Sequence, residues 1–219
     1  NFFEKRSGFP KFKSKKNSKQ SYTIPDNHIL IRDGRLCIGK FWKQGIKIKC
    51  HRKIVGQIRN CTISKTSTEK YFVSIMCLQD HESKAKTGKQ IGIDLGLKDF
   101  VTLSDSQKHS SPKYLVKHEK RLAKAQRHFA RKKKGSERRN KQKLKVAKVY
   151  EKIRNSRADF LHKLSTQIIN ENDVVCAEDL NVSVMMKNRR LAKSIGDVSW
   201  SLFLYFLQYN FFPFRIIHI

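Results

Sequence analysis

Ile91-Gly92-Ile93-Asp94-Leu95-Gly96 reads as a short apolar strand that carries a carboxylate to its end, with glycines two residues before and two residues after the acid. A second apolar run, Phe100-Val101-Thr102-Leu103, follows at once and predicts a hairpin. An acid at the polar end of a buried strand, beside glycines that let a phosphate or ligand backbone come close, is one way to present a metal ligand. A plain strand and turn would look the same. The reading gains weight 84 residues downstream, where Asp173-Val174-Val175-Cys176-Ala177-Glu178-Asp179-Leu180 repeats the design. Metal-assisted phosphodiester hydrolysis uses such clustered acids, because two divalent cations about 4 Å apart share oxygen ligands while activating water and stabilising the leaving oxygen. Asp94 and Glu178 are therefore the expected catalytic acids and metal ligands. Their hard oxygen donors favour Mg2+ or Mn2+ over zinc.

Charge describes the substrate. The chain has 48 Lys and Arg against 18 Asp and Glu, a net +30 over 219 residues. Such self-repulsion suits a protein that lies along a polyanion and releases its condensed counterions, and it argues against small-molecule chemistry. A membrane partner is not expected, since no apolar run approaches the roughly 20 residues of a spanning helix. Leu202–Phe214 is apolar and aromatic but is interrupted by Gln208, Asn210 and Pro213, and reads as a core helix followed by a frayed tail. Five cysteines without a Cys-x-x-Cys pair exclude a zinc ribbon inside these residues. They read as reduced core thiols of a cytoplasmic protein.

Along the chain, the first twenty residues form a basic arm in which Phe2, Phe3, Phe9 and Phe12 interleave with cations that include Lys11, Lys13, Lys15 and Lys16. That mixture suits phosphate contacts with stacking on unpaired bases. A solvated tail pinned by its phenylalanines is the competing reading. Short strands with turn signals are expected at 29–31, 36–38, 46–50, 58–63 and 71–78, which makes residues 1–88 an arm plus a small β-barrel or sandwich.

From about Gln90 a second domain, 89–219, begins with the acid-bearing hairpin. A long helical stretch from about Pro112 to Asn170 follows, broken at Gly135-Ser136. In its second arm Tyr150, Ile153, Phe160, Leu161, Leu164 and Ile168 recur at helical spacing and are expected to pack on the sheet as one face. The polar faces hold nineteen Lys and Arg between Lys117 and Lys163 against four acids. Arg121, Lys124, Arg127, Arg131, Lys132, Lys133, Lys134, Arg138 and Arg139 are thus nucleic-acid-binding candidates, with Lys187, Arg189 and Arg190 further on. Asp197 reads as the cap of the helix that holds Trp200.

Taken in order, these segments resemble the TnpB (OrfB-type) proteins of bacterial and archaeal insertion sequences. The matching residues are Gly8-Phe9-Pro10-Lys11-Phe12-Lys13, Ile91–Gly96, Glu178-Asp179-Leu180-Asn181-Val182, Lys187–Ile195 and Asp197-Val198-Ser199-Trp200. The resemblance implies α/β architecture: a wedge-like (OB-like) β-barrel, then an RNase H-like (RuvC) domain with an inserted basic helical hairpin. It also implies guide RNA and double-stranded DNA as partners, and RNA-guided, metal-dependent DNA cleavage as the activity. "Transposase" is then a filing name, because such cutting helps the element persist without catalysing strand transfer. Family members continue past the Trp200 helix into a zinc ribbon and a third acidic motif that this sequence does not match, so it reads as cut short at both ends. Three outcomes are expected to compete: an endonuclease, a nuclease-dead RNA-guided repressor, and an inert remnant of a mobile element. With the third acid missing, silenced cleavage is expected. Base pairing carries most sequence specificity in such systems, so the guide and target motif are not written in the chain.

Overall fold

The computed structural model describes residues 20–25, 28–39, 42–80, 86–178, 180–210 and 215–218. Lys11, Lys13, Lys15 and Lys16 of the basic arm lie outside the described residues, as does Asp179. The fold is mixed α/β with its β-rich part N-terminal, and the chain divides into two compact units, 1–83 and 84–219.

Among the described residues of the first unit there are six strands: β1 (Gln20–Pro25), β2 (Ile29–Arg32), β3 (Arg35–Ile38), β4 (Trp42–Lys47), β5 (Gln57–Lys65) and β6 (Tyr71–Leu78). They form two three-stranded antiparallel sheets, ordered β1-β5-β6 and β2-β3-β4. Asp33 and Gly34 join β2 to β3 with both φ angles positive, 50° and 68°, which matches the right-handed twist of the flanking strands. Ile24, Cys61 and Ile63 from one sheet and Leu36 from the other share a core. Two expectations shift here. β1 starts inside a stretch that gives no alternation, because only Ile24 among its six residues is buried. β4 lies earlier than 46–50 and accommodates Gly45 at φ 66°, where a Cβ would sit 2.8 Å from Cys37 Sγ. No disulfide joins the five cysteines, and burial pushes the Cys61 thiol up. Cys50, beyond the end of β4, is exposed, so the core reading does not hold for it.

The second unit contains β7 (Gln90–Leu95), β8 (Asp99–Leu103), β9 (Lys108–Ser110), α1 (Tyr114–Ala130), α2 (Glu137–Glu171), β10 (Val174–Ala177), α3 (Val182–Met185), α4 (Ala192–Val198), α5 (Trp200–Asn210) and β11 (Arg215–His218). Its single sheet runs β11-β10-β7-β8-β9. β7, β8 and β9 form an antiparallel meander, whereas β10 lies parallel to both β7 and β11. One face of the sheet, with Ile91, Ile93, Leu95, Val101 and Val175, packs with Leu161, Leu164 and Ile168 of α2 and Trp200, Phe203 and Leu207 of α5. Phe100 sets its ring edge to face against Phe160 and Phe203, at 5.5 and 5.1 Å. Among the described residues, no helix is long and apolar enough to cross a membrane.

Two expectations are corrected in this unit. The apolar stripe of α2 is two faces, because the helix outruns the sheet. Its later turns enter the main core, while Val149 and Ile153 form a separate cluster with Leu122 of α1. Tyr150 is exposed, its hydroxyl accepting from Gln126 Nε2 at 2.8 Å. Residues 211–214, read as a frayed tail, lie outside the described residues, and after them β11, a strand not expected from the sequence, pairs in register with β10. Asp197 does cap a helix, but the helix is α1. Its carboxylate accepts from the Leu115 backbone N–H at 3.0 and 3.1 Å, and from Arg157 Nη2 at 2.9 Å. The carboxylate is almost fully buried and joins α4, α1 and α2 at one point. Removing one partner of a buried pair leaves the other charge uncompensated. Asp197→Ala is therefore expected to cost about 3–5 kcal/mol in chemical denaturation, since both Arg157 and the first turn of α1 lose their partner.

Candidate metal centre and nucleic-acid interface

Burial alternates along β7: Ile91, Ile93 and Leu95 face the core, and Asp94 is exposed between the last two. β10 alternates likewise, with Val175 and Ala177 buried and Glu178 exposed immediately after the strand. The parallel register pairs Ile91 with Val175 and Ile93 with Ala177. Continued one residue past the end of β10, the same register would bring Glu178 beside Asp94, on strands that neighbour at about 4.8 Å. Asp94, exposed between buried Ile93 and Leu95, lies on the side of the sheet opposite the core. Thr102 is paired with Asp94 from β8 and belongs to the same face. Sequence reading passed over it as one residue of an apolar run, although hairpin pairing was the available signal. The Gly92 N–H donates to Ser104 Oγ at 3.1 Å and fixes the hairpin two residues before the acid.

The strand bearing Glu178 is anchored at its start. Asp173 accepts backbone N–H bonds from Thr87 at 3.0 Å and Gly88 at 2.6 Å, and these bonds hold its carboxyl below the usual carboxylate range despite some opposing desolvation. Among the described residues no three metal-ligating side chains gather, and Asp197 is committed to Leu115 and Arg157.

The basic candidates fall into two groups. Arg121, Lys124 and Arg127 on α1, Arg131 to Lys134 in the connecting loop, and Arg138 at the start of α2 are all exposed. Lys187, Arg189 and Arg190 are exposed between α3 and α4, and Lys193 of α4 ties this segment to Glu119 of α1 at 2.6 Å. Arg139 is different. It is half-buried, donates to the carbonyls of Phe129 and Lys132, and lies over the Phe129 ring. Its Nη1 is thus engaged within the hairpin, unlike the exposed cations around it.

Residues 73–189, a span that includes both acids and the hairpin, match the family model OrfB_IS605, described as "Probable transposase". The chain belongs to this family. A Streptomyces pristinaespiralis protein described as "Putative RNA-guided DNA endonuclease" is 38% identical over 96% of this chain and 52% of its own length. An Escherichia coli K12 protein, "Putative RNA-guided DNA endonuclease InsQ", is 32% identical over 86% of this chain and 46% of its own. The chain thus spans about half the length of these two relatives. A cryo-EM structure of a Cas12f1–sgRNA–target DNA complex aligns with a TM-score of 0.46 at 14% identity, over 74% of this chain and 35% of that one.

The turn after Asp94 depends on Gly96. A Cβ there would stand 2.7 Å from the Asp99 carbonyl oxygen, which is backbone and cannot rotate away. Gly96→Ala is expected to destabilise by about 1–3 kcal/mol in denaturant titration, the usual cost of forcing atoms into a packed site.

Proposed function

We propose that the chain is the nucleic-acid-binding, metal-ligating part of a TnpB-type RNA-guided DNA endonuclease, and that these 219 residues by themselves bind guide RNA and DNA without cutting. The observation that carries the reading is the parallel register of β7 and β10, whose continuation past Ala177 would bring Glu178 beside Asp94. Strand order supports an RNase H-like (RuvC) sheet: in order of appearance the strands lie 3-2-1-4-5, the first three antiparallel and the last two parallel to the first. Two sheets around one core support a barrel-like wedge domain for residues 1–88, with 89–219 as the nuclease domain. A cytoplasmic, nucleoid-associated location follows from this reading.

Asp94 and Glu178 fit one hard divalent cation, Mg2+ or Mn2+, bound through carboxylate oxygens with remaining positions left to water and phosphate. When bound, such an ion polarises a phosphoryl oxygen and makes water a better nucleophile. Thr102 places a hydroxyl on the same face. Arg121, Lys124, Arg127, the 131–134 loop and Arg138 neutralise backbone phosphates, and Lys187, Arg189 and Arg190 extend that track. Two carboxylates hold one ion, and a second needs further oxygen ligands. That shortfall among the described residues favours guided binding without cleavage, which is the behaviour of a repressor.

In Mn2+ titrations followed by water-proton relaxation, Asp94→Asn and Glu178→Gln should each weaken binding by more than about tenfold, because each removes one of two charged donors. With guide RNA and target DNA, the chain should shift the DNA in a gel and leave it intact. Mg2+-dependent cutting that Asp94→Asn abolishes would overturn the silent-nuclease part of this reading. Equal Mn2+ affinity in all three proteins would overturn the site.

A further inference from the structure

The loop between α1 and α2 presents four consecutive cations, Arg131, Lys132, Lys133 and Lys134. All four are exposed, and none forms an ion pair among the described residues. Left free, such a run would splay apart by repulsion, yet this one is tied from within. Arg139 Nη1 donates to the carbonyls of Phe129 at 3.1 Å and Lys132 at 2.8 Å, while the guanidinium lies 4.1 Å from the Phe129 ring centroid. Ser136 Oγ donates to the Lys133 carbonyl at 2.8 Å and accepts from the Arg139 N–H as the N-cap of α2. The loop's negative carbonyl ends are thus turned inward, and its positive side chains remain outside. Their ordering cost is met before any ligand arrives.

We infer that this tip is a phosphate clamp for an A-form RNA duplex, with Arg139 as its positioning residue. The inference rests on the nucleic-acid reading above and narrows it. Four cations within one short loop call for phosphates that converge. The narrow, deep major groove of A-form RNA brings the phosphates of two strands together at its mouth, whereas the B-DNA major groove, about 12 Å wide, holds them apart and only its minor groove, about 6 Å wide, converges, which makes a DNA duplex the direct competitor in the test. A single strand offers one row of phosphates and unpaired bases. The tip has no free aromatic ring for those bases, because Phe129 is covered by Arg139.

The test uses the full chain and fluorescence anisotropy with three probes of one sequence: an RNA duplex, a DNA duplex and single-stranded RNA. The RNA duplex should bind tightest, by about tenfold, with a steep inverse salt dependence. R131E/K132E/K133E/K134E should erase that preference and reduce the salt slope by about 2–4. R139Q keeps all four loop cations and should also erase the preference, whereas R139K, lacking the planar fork, should restore only part of it. Should R139Q lose helical circular dichroism, the charge-reversal variant decides alone, since its side chains are all on the surface. Equal affinity for RNA and DNA duplexes, tighter binding of the single strand, or a preference unchanged by charge reversal would overturn the clamp while leaving nucleic-acid binding in place. Binding to none of the probes would overturn both.

Discussion

Four pairs, Val174 with Gln90 through Ala177 with Ile93, hold β10 parallel to β7 across an 80-residue excursion through the helical hairpin. Parallel pairing needs such a crossover, and closing so long a loop costs entropy that the pairing must offset. Most of the offset comes from burial, because Val175 and Ala177 enter the same core as Ile91 and Ile93. Asp173 adds a local device by accepting the Thr87 and Gly88 N–H groups at the start of both strands. A slip by one residue would turn Glu178 toward the core and Ala177 outward. The proposed metal centre would thus be specified by hydrophobic register as much as by its acids.

The strands carrying Asp94 and Glu178 were legible because each combines an apolar run with an acid at one end, a pattern that survives without tertiary knowledge. The break at Gly135-Ser136 was legible for the same local reason: glycine takes φ 83° there, and serine caps the next helix. Other parts depend on partners far away in sequence. Asp197 is bonded to Leu115, 82 positions distant, so its surroundings suggested only the nearest helix. Arg139 looked like any other cation in a basic run, and the carbonyls to which it donates become available only where α1 ends. β11 was missed because a strand added in parallel at an edge needs no turn signal before it.

The two faces of α2 follow from its length. Thirty-five residues at about 1.5 Å each make a rod of about 52 Å, longer than the sheet it crosses. The sheet buries the last turns, and the excess needs its own apolar contact, which Leu122 of α1 supplies to Val149 and Ile153. The polar groups there are used locally as well, with Gln142 donating to the Ala125 carbonyl and Gln126 to Tyr150. A strongly cationic hairpin can stand away from the body because this small second core and these bonds oppose its self-repulsion.

That unbroken rod also has a mechanical consequence. α2 runs from Glu137, beside the cationic loop, to Glu171, three residues before β10, with no proline or glycine to bend it. Hairpin and acid-bearing strand are therefore a single lever whose fulcrum is the buried contact of Leu161, Leu164 and Ile168 with the sheet. A few degrees of tilt at that fulcrum would move the far end by several ångströms and the near end by a fraction of one, so large excursions of a bound duplex would reach Glu178 only strongly reduced.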